Sequence, residues 1–234
     1  MNFLDKIKLF GYTVLDKGGY VKILTGLKNT VTIAVIGLLI GIVIGTLIAV
    51  VKVVPKNNPV MRALDRICTV YVAYFRGTPI VVQLLLGYFI LFPLLNIKVS
   101  SLIVCIVIFG LNSGAYVSEI MRSGILSVDP GQMEAGRAIG FGYGSTMMRI
   151  VVPQAVKNIL PTLGNEFITL IKETSVVNFV GATDLVNAFS YIGSSNYEFM
   201  VPYLAMAVIY IVLVLLITGL VKIMEKRLRA SDKR

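Results

Sequence analysis

VTIAVIGLLIGIVIGTLIAVV, residues Val31–Val51, is an apolar run without a charge or a proline. The hydrocarbon core of a bilayer is crossed by a helix of about 20 such residues. In hydrocarbon every backbone group must find its partner inside the protein, which leaves helices and closed barrels. A barrel strand alternates in polarity over about 10 residues, and this run does not alternate. The reading that follows is an all-α membrane protein. Gly37, Gly41 and Gly45 recur at every fourth position of the run, a ladder of small residues that lets a second helix approach closely.

Outward from this run, four further stretches read as spans. One extends from Ile67 to Leu95, with a bend expected at Arg76-Gly77-Thr78-Pro79. The others are Val99–Met121, the more polar Ile159–Val180, and Met200–Val221. The expected count is five transmembrane helices. Composition agrees: 56% of residues are hydrophobic and 15% charged, against about 25% charged in soluble domains. The net charge of +10 does not indicate nucleic acid, because the cations lie between apolar runs, where cytoplasmic loops carry them. Cys68 and Cys105 are far apart and there is no histidine. This excludes a zinc or haem site and a histidine-based triad, so no catalytic and no metal residues are expected.

Residues 52–66, 122–157 and 222–234 hold four, four and six lysines or arginines, whereas the loops after spans two and four hold only Lys98. By the positive-inside rule the basic segments are cytoplasmic, the N-terminus is outside and the C-terminus cytoplasmic. The lysines at 6, 8, 17, 22 and 28 argue the other way. Residues 1–28 lack the apolar core of a cleavable signal; within 1–23, Phe3, Ile7, Phe10 and Val14 recur at helical spacing, as in an amphipathic helix at the interface. The expected organisation is this segment, a membrane domain over 24–225 with a cytoplasmic loop at 127–153, and a basic tail at 226–234.

The loop has the grammar of a short helix. Asp129 suits its cap, Pro130 its first position, Gln132 a capping box and Gly140 a left-handed stop. A helix of about ten residues in a loop needs a partner. Glu134-Ala135-Gly136, three residues, Gly140, nine residues, then Ile150-Val151-Val152-Pro153 resembles the EAA signature of bacterial ABC importer permeases, with Gly136 in place of the usual alanine and Val152 in place of leucine. Phe75-Arg-Gly-Thr-Pro79 followed by Gln83, Ala115-Tyr-Val-Ser-Glu-Ile120, Gly131-Gln132 and Lys172-Glu-Thr-Ser175 resemble the polar amino acid branch of that family.

The resemblance implies a type I ABC importer permease (MetI-like) architecture in the bacterial cytoplasmic membrane. It implies two copies of a cytoplasmic ATPase, an extracellular or periplasmic amino acid binding protein, and a second permease subunit, identical or not. Glu134, Ala135, Gly136, Arg137 and Gly140 would carry the coupling. The chain contains no G-x-x-x-x-G-K-[ST] motif, and Gly140-Phe-Gly-Tyr-Gly-Ser-Thr146 lacks the lysine. No cofactor is therefore expected in this chain; ATP and Mg belong to the ATPase.

Ionisable residues inside spans are costly and tend to face a cavity. Thr162, Glu166, Thr169 and Glu173 share one helical face of span four; Asn112, Tyr116 and Glu119 share one of span three; Gln83 follows the Pro79 bend. Together they form a candidate substrate site. Glu166 or Glu173 suits an ammonium or a cationic side chain, and Gln83 or Asn112 a carboxylate. Glu173 is also placed to pair with a cation on another helix, and Glu119 with Arg122 three residues on. The acidic face favours arginine, lysine or histidine; glutamine, glutamate and cystine stay open. A self-sufficient secondary transporter is the competing class, and it predicts internal repeats that the sequence does not show.

Overall fold

The computed structural model describes residues 1–230. They form eleven α-helices: α1 (Phe3–Leu15), α2 (Gly19–Val53), α3 (Pro59–Gly77), α4 (Ile80–Leu86), α5 (Phe92–Leu94), α6 (Ser101–Leu126), α7 (Pro130–Ala138), α8 (Tyr143–Thr146), α9 (Val152–Glu173), α10 (Leu185–Asn196) and α11 (Met200–Ala230). Wider π turns at Gly87–Leu91 and Met147–Val151 join α4 to α5 and α8 to α9, and a 3-10 stretch, Thr174–Val180, follows α9.

Among the described residues, α2, α6 and α11 are long and apolar enough to cross a membrane, and α3 with the sharply bent α4–α5 stretch makes a fourth candidate. The remaining expected span falls on α9. Its helix is present, but Lys157, Asn158, Asn165, Glu166, Lys172 and Glu173 make it too polar to qualify on composition.

Four stretches differ from the sequence reading. Helix α3 begins at Pro59, well ahead of the expected Ile67. Helix α2 begins at Gly19, well ahead of the apolar run. Residues 143–157, expected within the basic cytoplasmic segment 122–157, are helical as α8, the π turn and the start of α9. Pro153 lies in the first turn of α9, where its missing N–H is tolerated, and the π turn just before it absorbs the broken bonding pattern. The segment 181–198, read as a loop, contains α10. Asp184 caps it by accepting from the Asn187 N–H at 2.9 Å, and Leu185, Ala188, Phe189 and Ile192 bury one helical face. Burial pushes the Asp184 carboxyl up to about 6.

The chain forms two compact units. The first comprises Met1–Gly37, Thr78–Gly110 and Thr169–Leu216. Here α1 is tied to α10 rather than lying alone: Lys6 pairs with Glu198 at 3.1 Å, Asn196 Nδ2 donates to Thr13 Oγ1 at 2.6 Å, and Phe10 stacks on Phe189. Asn29 Nδ2 donates to the Thr183 carbonyl at 2.8 Å, holding the entry to α10 against α2. The second unit comprises Leu38–Gly77, Leu111–Ile168 and the chain from Ile217 onward. Its apolar clusters centre on Val117, Ala155, Ile159 and Leu163, and on Ile48, Val72 and Ala115.

The glycine ladder faces α6 as expected. A Cβ on Gly41 would stand 2.6 Å from Ser113 Oγ, and one on Gly45 2.7 Å from Val117 Cβ and 2.8 Å from the Ser118 nitrogen. The tail expected at 226–234 continues α11 as far as Ala230; residues 231–234 lie outside the described residues.

Candidate functional site

The exposed loop helix α7 is built as its sequence indicates. Asp129 Oδ1 accepts from the Gly131 N–H at 2.8 Å, Pro130 opens the helix, and Gly140 takes a left-handed φ of 93°. Gln132 departs from the expected capping box; its Oε1 instead accepts from Gln154 Nε2 at 3.3 Å, which ties α7 to α9.

Glu134, Ala135, Arg137 and Gly140 are exposed, while Gly136 is buried. A Cβ on Gly136 would collide with the Thr146 methyl and stand 2.9 Å from Thr146 Oγ1 and 3.1 Å from Ile150 Cδ1. The Thr146 side chain therefore occupies the space that an alanine Cβ at position 136 would take. Restoring the motif with Gly136→Ala is expected to overpack this contact, which costs about 1–3 kcal/mol, and to lower the melting temperature of the purified subunit. Adding Thr146→Ala is expected to recover most of that loss. A melting temperature unchanged by Gly136→Ala, or a double variant no better than the single, refutes the assignment. Around α7, Ile139 is 72% exposed and Met148 67% exposed, a concentration of apolar surface on an otherwise polar loop.

The polar residues of the spans fall into separate groups. In the second unit, Glu166 is buried, and its Oε1 accepts from Ser113 Oγ at 2.9 Å. Neighbouring Asn112 donates through Nδ2 to the Phe75 carbonyl at 3.3 Å, near the end of α3. Tyr71, one helical turn earlier on α3, donates to the Leu111 carbonyl at 2.5 Å. These bonds fix α3 and α9 to the middle of α6.

Glu119 is bridged by two cations, Arg122 at 3.0 Å and Arg76 at 3.9 Å. The Arg76 guanidinium lies 5.5 Å from the centroid of the Tyr116 ring, a cation–π arrangement. The pairing of Glu119 with Arg122 is thus present, and Arg76, absent from the expected site, joins it. The adjacency of Arg76 to the bend was the available sequence signal.

In the first unit, Gln83 is buried and turns back on the bend. Its Nε2 donates to both the Thr78 carbonyl and Thr78 Oγ1 at 2.9 Å. Thr169 is half-buried, and Glu173 is half-buried at the last position of α9. Lys172 lines an apolar groove of about 490 Å³ with Ser175 and four residues of α11, Tyr210, Ile211, Val214 and Leu215. Glu166 is bonded to Ser113 and Asn112 to the Phe75 carbonyl, Glu119 lies with Tyr116 beside Arg76, and Gln83 is bonded to its own bend.

Residues 37–230 match the family described as "Binding-protein-dependent transport system inner membrane component". The chain is 39% identical over 210 residues to the arginine transport system permease protein ArtQ of Bacillus subtilis (strain 168), covering 90% of this chain and 94% of that one. It is 39% identical over 223 residues to a putative glutamine transport system permease protein GlnP of Rickettsia bellii (strain RML369-C), covering 95% and 100%. A crystal structure of an amino acid ABC transporter with histidines superposes with a TM-score of 0.83 at 34% identity, covering 97% of this chain and 99% of that chain.

Proposed function

Because the chain belongs to the family of binding-protein-dependent transport system inner membrane components, with amino acid ABC permeases as its relatives and no enzymatic step of its own, we propose that it carries polar amino acids, cationic ones in particular, into the cell by alternating access. The partners of this class are an ATPase and a binding protein. In the proposed assembly, two ATPase copies hold ATP and Mg, an extracellular or periplasmic protein delivers the amino acid, and a second permease subunit completes the pathway. Five spans cross the cytoplasmic membrane, α9 being the polar one, with the N-terminus outside and the C-terminus in the cytoplasm. Residues 24–225 form the membrane domain, and the loop 127–153 meets the ATPase.

The observation that carries this reading is α7 itself: a capped helix whose exposed Glu134 and Arg137 stand beside exposed Ile139 and Met148. Such a surface fits a protein cleft. The ATPase would move this helix, and the spans would follow largely as rigid bodies.

The lean toward cationic cargo rests on Glu166, a buried carboxylate of α9 held by Ser113. Proteoliposomes containing the permease with and without its ATPase test both levels. Uptake is expected only with ATPase and ATP; uptake that persists without them overturns the importer reading. In the full complex, Glu166→Gln is expected to weaken a cationic substrate about tenfold more than a neutral one, the loss of one charge-assisted bond. Equal losses for both substrates overturn the role of Glu166 and leave the importer reading standing.

A further inference from the structure

A groove of about 370 Å³ lies between the start of α9 and the end of α11, lined by Lys157, Leu220, Ile223, Met224, Arg227 and Leu228. Its two ends differ in chemistry. Leu220 is 68% exposed and Ile223 57% exposed, and on a membrane-spanning helix such side chains face hydrocarbon. Lys157 lies just before the stretch that starts at Ile159 of α9, with Asn158 between, and Arg227 follows the apolar part of α11. Both cations therefore sit where the spans meet the headgroup layer.

The two helices are fixed against each other at this point. Gly164 of α9 abuts the Val221 side chain of α11 closely enough that a Cβ would collide with it. One helical repeat away along each helix, the chains present Lys157 and Leu228 to the same groove. The groove is thus a fixed feature of the second unit. Among its lining residues, Lys157 and Arg227 are the charged ones, and both are cationic.

We propose that this groove holds an acidic phospholipid, its phosphate between Lys157 and Arg227 and one acyl chain along Leu220, Ile223 and Met224. Charge complementarity selects this occupant. Two cations at the interface above an apolar floor match an anionic headgroup above a hydrocarbon tail, whereas the apolar floor has nothing to offer a soluble anion. The assignment to the inner leaflet rests on the proposed cytoplasmic C-terminus.

The test uses the complete transporter in nanodiscs of mixed phosphatidylcholine and phosphatidylglycerol, with lipids retained on release counted by native mass spectrometry. The wild type is expected to retain phosphatidylglycerol in preference to phosphatidylcholine. Lys157→Gln/Arg227→Gln is expected to lower its apparent affinity on the order of thirtyfold, roughly fivefold for each cation. The charge-conserving Lys157→Arg/Arg227→Lys variant is expected to keep the preference, which separates charge from folding.

Equal retention of the two lipids by the wild type, or unchanged retention in the Gln variant, overturns the site. So does phosphatidylglycerol bound only when the ATPase is left out, because the ATPase then covers the groove. ATP-driven uptake by the same preparation reads the importer function separately. A transporter that works without lipid preference sinks the lipid site alone. Protease access to a C-terminal tag in inverted vesicles reports the leaflet.

Discussion

Gly140→Asp and Glu134→Lys are each expected to leave the chain inserted while lowering the amino acid taken up per ATP hydrolysed by about tenfold. The two act by different routes. Gly140 ends α7 at φ 93°, a region that L side chains enter only at a cost of about 1–3 kcal/mol. Aspartate there would be relieved by unwinding the end of α7, and Ile139 and Gly140 would leave the surface offered to the ATPase. Glu134 is exposed at the middle of α7, and lysine there reverses the charge without disturbing the helix, since both residues are good helix formers. ATPase rate and substrate flux measured on the same proteoliposomes decide the matter. Wild-type flux per ATP in either variant refutes the assignment of that residue to the ATPase contact. A fall in both rates with normal stoichiometry points to assembly instead of transmission.

The second large effect is expected at the seam between α2 and α6. Gly45→Leu would set a Cβ 2.7 Å from Val117 Cβ and 2.8 Å from the Ser118 nitrogen. The latter is backbone and cannot move aside as a side-chain tip can. Gly41→Leu would strike Ser113, the residue whose hydroxyl donates to Glu166. Overpacking costs about 1–3 kcal/mol at one site and more where backbone is involved, so each variant should fall well below the wild type in melting temperature, and the pair together should fail to accumulate as folded protein. Gly219→Leu is the control, because beyond its own helix backbone and chain neighbours a Cβ there meets nothing within 4 Å. Parity between Gly45→Leu and Gly219→Leu in the second unit would show that the seam tolerates separation.

What was legible in the sequence depended on how local the governing physics is. The loop helix was readable because Asp129, Pro130 and Gly140 act through their own backbone, and each behaves as its residue type dictates. The break at Thr78-Pro79 was readable for the same reason. Helix α10 was missed, although Asp184 followed by Leu185, Ala188, Phe189 and Ile192 is a cap and an apolar face; its length fell below that of a span and its neighbours are polar. The partners of side chains were the least legible. Spacing put Glu166 and Glu173 on one face of a helix, but it held no information on Ser113, which lies on another helix far away in sequence. Likewise, Gln132 met Gln154 rather than its own helix terminus, because tertiary contact outcompeted the local bond. The compensation of Gly136 by Thr146 was out of reach for the same reason.

The second compact unit contains both α7 and Glu166, with α8, the π turn and most of α9 between them. An ATPase docked on α7 and an amino acid bound at Glu166, as proposed, would therefore address a single body. If docking changes the affinity for the amino acid by some factor, thermodynamic linkage requires the amino acid to change the affinity for the ATPase by the same factor. Cargo is then an effector as well as a passenger: a loaded permease and an empty one present different binding constants to the machine that drives them.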